Sequence, residues 1–204
     1  MGGKRLSDHW NYPEPSILKL YTYTNADEVE LKINGKTIGR KRNDRTDSRR
    51  RNRIMWENVE YSPGNIEAFA YNDGESNPVA RHRIETSGRA SHLLLTADNA
   101  DWRADGTDLQ HVRVEAVDKK GRRDVSARGM LTFSVEGPAE IVGVINGDNR
   151  SNELTVGNSR SLYNGTATVI LRSKPESGTA LLRITSPDFK PVMMKLPVSP
   201  VDGK

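Results

Sequence analysis

Four aspartates crowd one short stretch of the chain: Asp98, Asp101, Asp105 and Asp108, with Trp102 and Arg103 among them. Two chemistries suit such a cluster. Calcium, a hard cation, wants several oxygens around it; alternatively each aspartate bonds backbone amides just ahead of it and builds turns. The spacing lacks the central glycine and closing glutamate of a helix–loop–helix calcium site, so turn building is the simpler expectation and no metal is assigned. His9, His82, His92 and His111 never fall at a ligand-like spacing. The chain has no cysteine, which removes disulfides, thiolate metal sites and thiol nucleophiles and leaves the redox compartment open. Trp102 is the unusual aromatic. It sits in a polar loop with no evident core to enter, whereas Trp56 lies among Ile54, Met55 and Val59 and reads as a core residue.

The charge points less to chemistry than its total suggests. Lys and Arg number 31 against 27 Asp and Glu, a net +4, yet eight basic residues face only two acidic ones between Arg40 and Arg53. Basicity is therefore one loop. Arg49-Arg50-Arg51 can contact phosphates, but no aromatic residue lies in this loop for base stacking, and Asp44 and Asp47 lower its field. Weak, sequence-independent contact with nucleic acid is the most this predicts, so no specific nucleic-acid partner is assigned.

The elements that position these residues follow from patterning. With 204 residues, 34% of them hydrophobic, and a mean hydropathy of -0.71, the chain suits two thin sandwiches better than one large core. No apolar run approaches the roughly 18 residues that span a bilayer, so no membrane partner is expected. Met1 to Trp10 has no apolar core, so no secretory signal is expected there. Helical periodicity is nearly absent, and short alternating segments separated by Gly, Pro, Asn and Asp recur throughout. In Glu28–Ile33, Val29, Leu31 and Ile33 face one way and the charged residues the other; Asn34-Gly35 then tolerates the positive φ of a tight hairpin. Strands are predicted near Ile17–Tyr23, Lys36–Arg40, Arg53–Val59, Asn65–Tyr71 and Val79–Glu85. After a small, polar passage, Thr86 to Ser91, alternation resumes near His92–Thr96, Gln110–Asp118, Gly129–Glu136, Glu140–Ile145, Ala167–Arg172, Thr179–Thr185 and Val192–Leu196. The prediction is all-β, with two tandem immunoglobulin-like β-sandwich domains, 1–88 and 89–204.

Longer motifs carry a resemblance. Asn25-Ala26-Asp27-Glu28-Val29-Glu30-Leu31 through Asn34-Gly35-Lys36 and Gly39 resembles the stretch that follows the catalytic barrel in bacterial glycoside hydrolase family 2 enzymes of the β-galactosidase type. His9-Trp10-Asn11-Tyr12 resembles the segment that closes the barrel there, with a shortened connection. Trp56, Val59, Tyr61, Pro63, Gly64, Ala68, Ala70, Tyr71, Asp73 and Gly74 continue the match. In the second half, Ala104-Asp105-Gly106 with Asp108, Val112, Val114, Asp118 and Gly121 is similar to the C-terminal module of the same enzymes. So are Gly137-Pro138, Asn146-Gly147-Asp148 with Ser151, and Arg160 with Tyr163-Asn164-Gly165, Ala167 and Arg172-Ser173.

The resemblance implies a non-catalytic, architectural C-terminal region whose catalytic carboxylates would lie in a barrel before residue 1. Its implied partners are the catalytic barrel and N-terminal domains of the same parent chain. It implies no cofactor and a periplasmic or secreted parent, a cytoplasmic one being the alternative. Trp10 becomes the expected anchor against the barrel, exposed when cut from it. The rival reading is an independent carbohydrate-binding module. For that reading the candidate contacts are Trp102, whose ring could stack on the C–H face of a pyranose, and Asp101, Arg103 and Asp105, which could bond its hydroxyls.

Overall fold

The computed structural model describes residues 7–47 and 51–201; Arg49 and Arg50 of the basic run, and the first six residues, lie outside them. The chain divides into two compact units, Met1–Thr86 and Ser87–Lys204.

The first unit carries β1 (Ile17–Tyr23), β2 (Glu28–Ile33), β3 (Lys36–Arg42), β4 (Arg53–Glu60), β5 (Asn65–Tyr71) and β6 (Ala80–Glu85). They form a four-stranded sheet ordered β3-β2-β5-β6 and a two-stranded sheet of β1 and β4, every pairing antiparallel. Alternation in β2 buries Val29, Leu31 and Ile33, which oppose Ala70, Ala68 and Ile66 of β5. The β2–β3 turn places Asn34 at φ 49° and Gly35 at φ 80°, the doubly positive geometry whose twist matches a hairpin. Asn34 does a second job. Its carboxamide accepts from the Asn65 amide at 2.8 Å and donates to the Pro63 carbonyl at 2.9 Å, tying the hairpin to the β4–β5 turn.

Trp10 corrects an expectation. Its ring is 1% exposed within this core, edge-on to Tyr61 at 5.0 Å and to Tyr12 at 6.1 Å, and its Nε1 donates to the Ser62 carbonyl at 3.0 Å. The Trp10 carbonyl accepts from Thr86 Oγ1 at 2.7 Å. The entering segment folds back over its own sandwich, so the indole completes that core and needs no other surface to bury it.

The second unit carries β7 (His92–Ala97), β8 (Leu109–Val117), β9 (Met130–Glu136), β10 (Ala139–Ile145), β11 (Ser159–Ser161), β12 (Thr166–Ser173), β13 (Gly178–Thr185) and β14 (Val192–Val198). Two sheets result, β10-β12-β8-β7 and β11-β9-β13-β14. Between them Val112, Val114, Ala116, Val169 and Leu171 meet Leu131, Phe133, Leu182 and Ile184, all without exposure. Each such valine, leucine, isoleucine or phenylalanine contributes roughly 1.5–3 kcal/mol relative to exposure. Both units are thus sandwiches of antiparallel sheets of the immunoglobulin-like class. Strand β11 is the element the pattern missed: Ser159-Arg160-Ser161 has no apolar alternation, because the residue it buries is an arginine.

Candidate functional site

Trp102 and its neighbours lie between β7 and β8, and the structure does not assemble them as a sugar platform. The Trp102 ring is 1% exposed and belongs to the core of the second unit, with Nε1 donating to the Asp108 carbonyl at 3.0 Å. Two backbone bonds carry it there. Ser199 donates to the Trp102 carbonyl at 2.7 Å and Ala104 donates to the Ser199 carbonyl at 2.8 Å, so the loop is stitched to the segment near residue 199, far along the chain. No face of the indole is open to a pyranose, which corrects the stacking role expected of it.

The polar residues around the ring are occupied in turns. Asp101 pairs with Arg103 at 2.8 Å on the surface. Asp105 Oδ1 accepts from the Thr107 and Asp108 amides at 2.7 and 2.6 Å, and these backbone bonds hold its carboxyl below the usual range. Asp108 accepts from the Arg103 amide at 2.9 Å, and Asp98 from the His111 amide at 2.9 Å. Each aspartate bonds the local backbone or a nearby cation. Among the described residues no three or more His, Asp or Glu are grouped to hold a metal ion.

Acid–base chemistry on a glycosidic bond calls for a carboxylic acid whose pKa is raised, beside a second carboxylate. The carboxyl groups of Glu30, Glu57, Asp73, Asp105, Asp118, Asp124 and Glu153 all shift downward, the direction that favours the anion. Asp118 and Asp124 are the buried pair among them. Burial pushes both upward, and hydrogen bonds outweigh it. Asp118 Oδ1 accepts from the Lys120 and Arg122 amides at 2.8 and 3.0 Å; Oδ2 accepts from the Gly88 amide at 2.8 Å and from Arg122 Nε and Nη2 at 2.9 and 2.7 Å. Asp124 accepts from the Ala90 amide at 2.8 Å and from Ser126. These two carboxylates anchor the start of the second unit, within the small, polar passage Thr86 to Ser91.

In the first unit a cleft of about 630 Å³ opens beside β1, lined by Tyr12, Tyr21, Tyr23, Leu18, Leu20 and His82 among others. Sequence reading missed it, because Leu18 and Leu20 look like ordinary core positions and are left half-buried by the two-stranded sheet. Four described basic residues of this stretch are engaged by partners in the same unit. Arg40 pairs with Glu28 at 2.7 Å and lies over Tyr71. Arg42 grips Asp73 with two bonds, at 2.9 and 2.8 Å. Arg45 meets Asp27 at 2.9 Å, and Lys41 donates to the Met55 carbonyl at 2.8 Å over the Trp56 ring. No helix among the described residues is long and apolar enough to cross a membrane.

Comparison with known proteins accounts for both units. Residues 93–195 match the family model of glycoside hydrolase family 2 C-terminal domain 5, and residues 16–77 match a domain of unknown function, DUF4982. The chain is 33% identical over 192 residues to the β-galactosidase BoGH2A of Bacteroides ovatus, covering 94% of this chain and 22% of that protein. It is 32% identical over 200 residues to a β-glucuronidase of Formosa agariphila, covering 95% of this chain and 19% of the relative. A solved structure of a family 2 member from Bacteroides cellulosilyticus superposes with a TM-score of 0.82 at 32% identity, over 93% of this chain and 25% of the other. The chain thus spans about a fifth of the length of the curated relatives it matches. Two family models in order along the chain, and a shared fold at this identity, lead to one assignment: the chain belongs to the C-terminal domains of glycoside hydrolase family 2.

Proposed function

We propose that this chain is a non-catalytic accessory region of a β-galactosidase-like family 2 glycoside hydrolase, packing on the catalytic barrel and bordering its sugar pocket. The observation that carries the reading is coverage. Nearly all of the chain aligns with one stretch that makes up about a fifth of much longer glycosidases. The downward-shifted carboxylates support it, since each of the two buried ones is explained by the loop it anchors. Purified chain should leave aryl β-galactosides and β-glucuronides intact, whereas the full-length protein carrying it should cleave one of them. Turnover by the chain alone, lost when one of its own carboxylates is substituted, would overturn the reading.

A second reading, an independent carbohydrate-binding module, is favoured by the tyrosine-lined cleft. Tyr23 is 62% exposed there and could offer its ring to a pyranose. Titration with galacto- and gluco-oligosaccharides would then show weak binding, on the order of millimolar, lost in Tyr23→Ala and retained in Trp102→Ala. No response in the wild type would dismiss it.

A further inference from the structure

The loop between β10 and β11 presents the two most exposed large hydrophobic side chains among the described residues, Leu154 at 79% and Val156 at 76%. A single exposed leucine is ordinary. What is unusual is the apparatus that holds this pair still. Arg160, 3% exposed, sends Nη1 to the Glu153 carbonyl at 2.8 Å and Nη2 to Asn146 Oδ1 at 2.9 Å, and its Nε lies 3.4 Å from the Glu153 carboxylate. Glu153 Oε2 accepts in turn from the Ser161 amide at 3.0 Å, and Asn146 donates to the Ser161 carbonyl at 2.8 Å. Between the pair, the Val144 amide donates to the Thr155 carbonyl at 2.8 Å, and beyond it the Phe133 amide donates to the Asn158 carbonyl at 2.8 Å.

Burying a guanidinium is costly unless hydrogen bonds engage it; Nε has no hydrogen-bond partner among the described residues, but both terminal nitrogens do, and Nη1 goes to the backbone carbonyl next to Leu154. Thr155 turns its carbonyl inward, which leaves Leu154 and Val156 pointing out on either side of it. Ile145, 40% exposed, follows directly on Val144, so a third apolar side chain lies close to the same bond. None of the three adds to the core of its own unit. A rigid apolar projection loses little conformational freedom on docking, the condition under which a few side chains dominate an interface.

We infer that the Leu154–Val156 projection docks into an apolar recess on the catalytic part of the full-length family 2 polypeptide. This rests on the accessory reading above. The relatives that contain the same domains carry roughly four-fifths of their length elsewhere, which supplies a covalently tethered surface at high effective concentration. The flanking charges are already paired within the loop: Arg150 reaches Asp148 at 3.4 Å, and Glu153 faces Arg160. Leu154 and Val156 are the apolar surface the loop displays beside those paired charges.

Hydroxyl-radical footprinting of the 204-residue chain and of the full-length protein tests this directly. In the chain alone Leu154 should be oxidised freely; in the full-length protein its labelling should fall to that of the core residues Leu131 and Leu182. Leu154→Asp should leave the melting temperature of the isolated chain unchanged and lower that of the full-length protein by several degrees. Equal labelling of Leu154 in both proteins, with protection elsewhere on the chain, would overturn the docking site and leave the accessory reading intact. Protection nowhere on the chain would overturn both. Self-association of the isolated chain that Leu154→Asp abolishes would make the occupant a second copy and refute the proposal as stated.

Discussion

Asp118→Asn is the sharpest perturbation available, because it changes charge and one donor pattern while keeping shape. If the asparagine keeps its oxygen toward the Lys120 and Arg122 amides, its NH2 group takes the place of Oδ2 and faces three donors: the Gly88 amide at 2.8 Å and Arg122 Nε and Nη2 at 2.9 and 2.7 Å. Flipping the amide only moves the conflict to the other pair. An ordinary neutral hydrogen bond lost would cost about 1 kcal/mol. Leaving a half-buried guanidinium and a buried amide facing a donor costs more, roughly 3–5 kcal/mol, because the Asp118 side chain at the centre of these bonds is only 6% exposed. For a domain of this size the melting temperature of the second unit should fall by roughly 10–20 °C. The pH dependence has a definite sign. Asp118 titrates well below its ordinary range when folded, so its stabilisation is fully present above the unfolded pKa of about 3.9 and is lost as pH falls through the lower folded value. The gap between wild type and variant, measured by urea denaturation, should therefore be full at neutral pH and close under strongly acidic conditions. A variant within about 1 kcal/mol of wild type at neutral pH, or a gap that widens on acidification, would refute the account.

The three tryptophans give an independent check on burial. Trp10, Trp56 and Trp102 are 1%, 2% and 1% exposed, so native fluorescence should be blue-shifted and poorly quenched by acrylamide, with quenching rising on unfolding; one tryptophan quenched as readily as free indole would contradict the packing. Two glycine substitutions separate backbone strain from steric conflict. Gly35→Ala, at φ +80° with nothing within 4 Å, should cost about 1–2 kcal/mol. Gly165→Ala should cost clearly more in thermal denaturation, since its φ is +72° and a Cβ would lie 2.3 Å from the Asp124 carbonyl oxygen. Arg160→Met should destabilise the second unit by about 3 kcal/mol and speed amide exchange at Val144, whose partner is the Thr155 carbonyl.

How far the sequence could be read depended on whether a residue's partner was near in the chain. Period-two alternation located β2 and β8 with their inward faces, and Asn34-Gly35 announced its turn, because strand burial and hairpin twist are local physics. Trp102 defeated the same reading. Its loop has no periodicity, and the residue that stitches it down is Ser199, at the far end of the chain. Trp10 failed in the same way, since Ser62 and Tyr61 bury it. Strand β11 escaped because its inward residue is Arg160, made compatible with burial only by Asn146 and Glu153. The cleft beside β1 was invisible for a different reason. Apolar residues facing an incomplete sheet look the same in sequence as those facing a complete one.

Several of the polar and glycine positions that carry the family resemblance in the second unit are devices for fixing loops. Asp105 and Asp108 shape the turn beneath Trp102. Asp118 binds the β8 end to Gly88, and Gly121, at φ +77°, lets the intervening turn close. Asn146 and Arg160 clamp the β10–β11 loop from both sides, and Asn164-Gly165 makes the tight turn that packs against Asp124. Every one of these roles is satisfied inside the unit, by backbone groups and paired charges. A motif of this kind reports a fold and its ancestry, and predicts no chemistry of its own. It also explains where interaction must be sought. With the anchoring residues spent on rigidity, contact with another surface falls to what the anchored loops display, and the β10–β11 loop, clamped by a buried arginine, displays two aliphatic side chains.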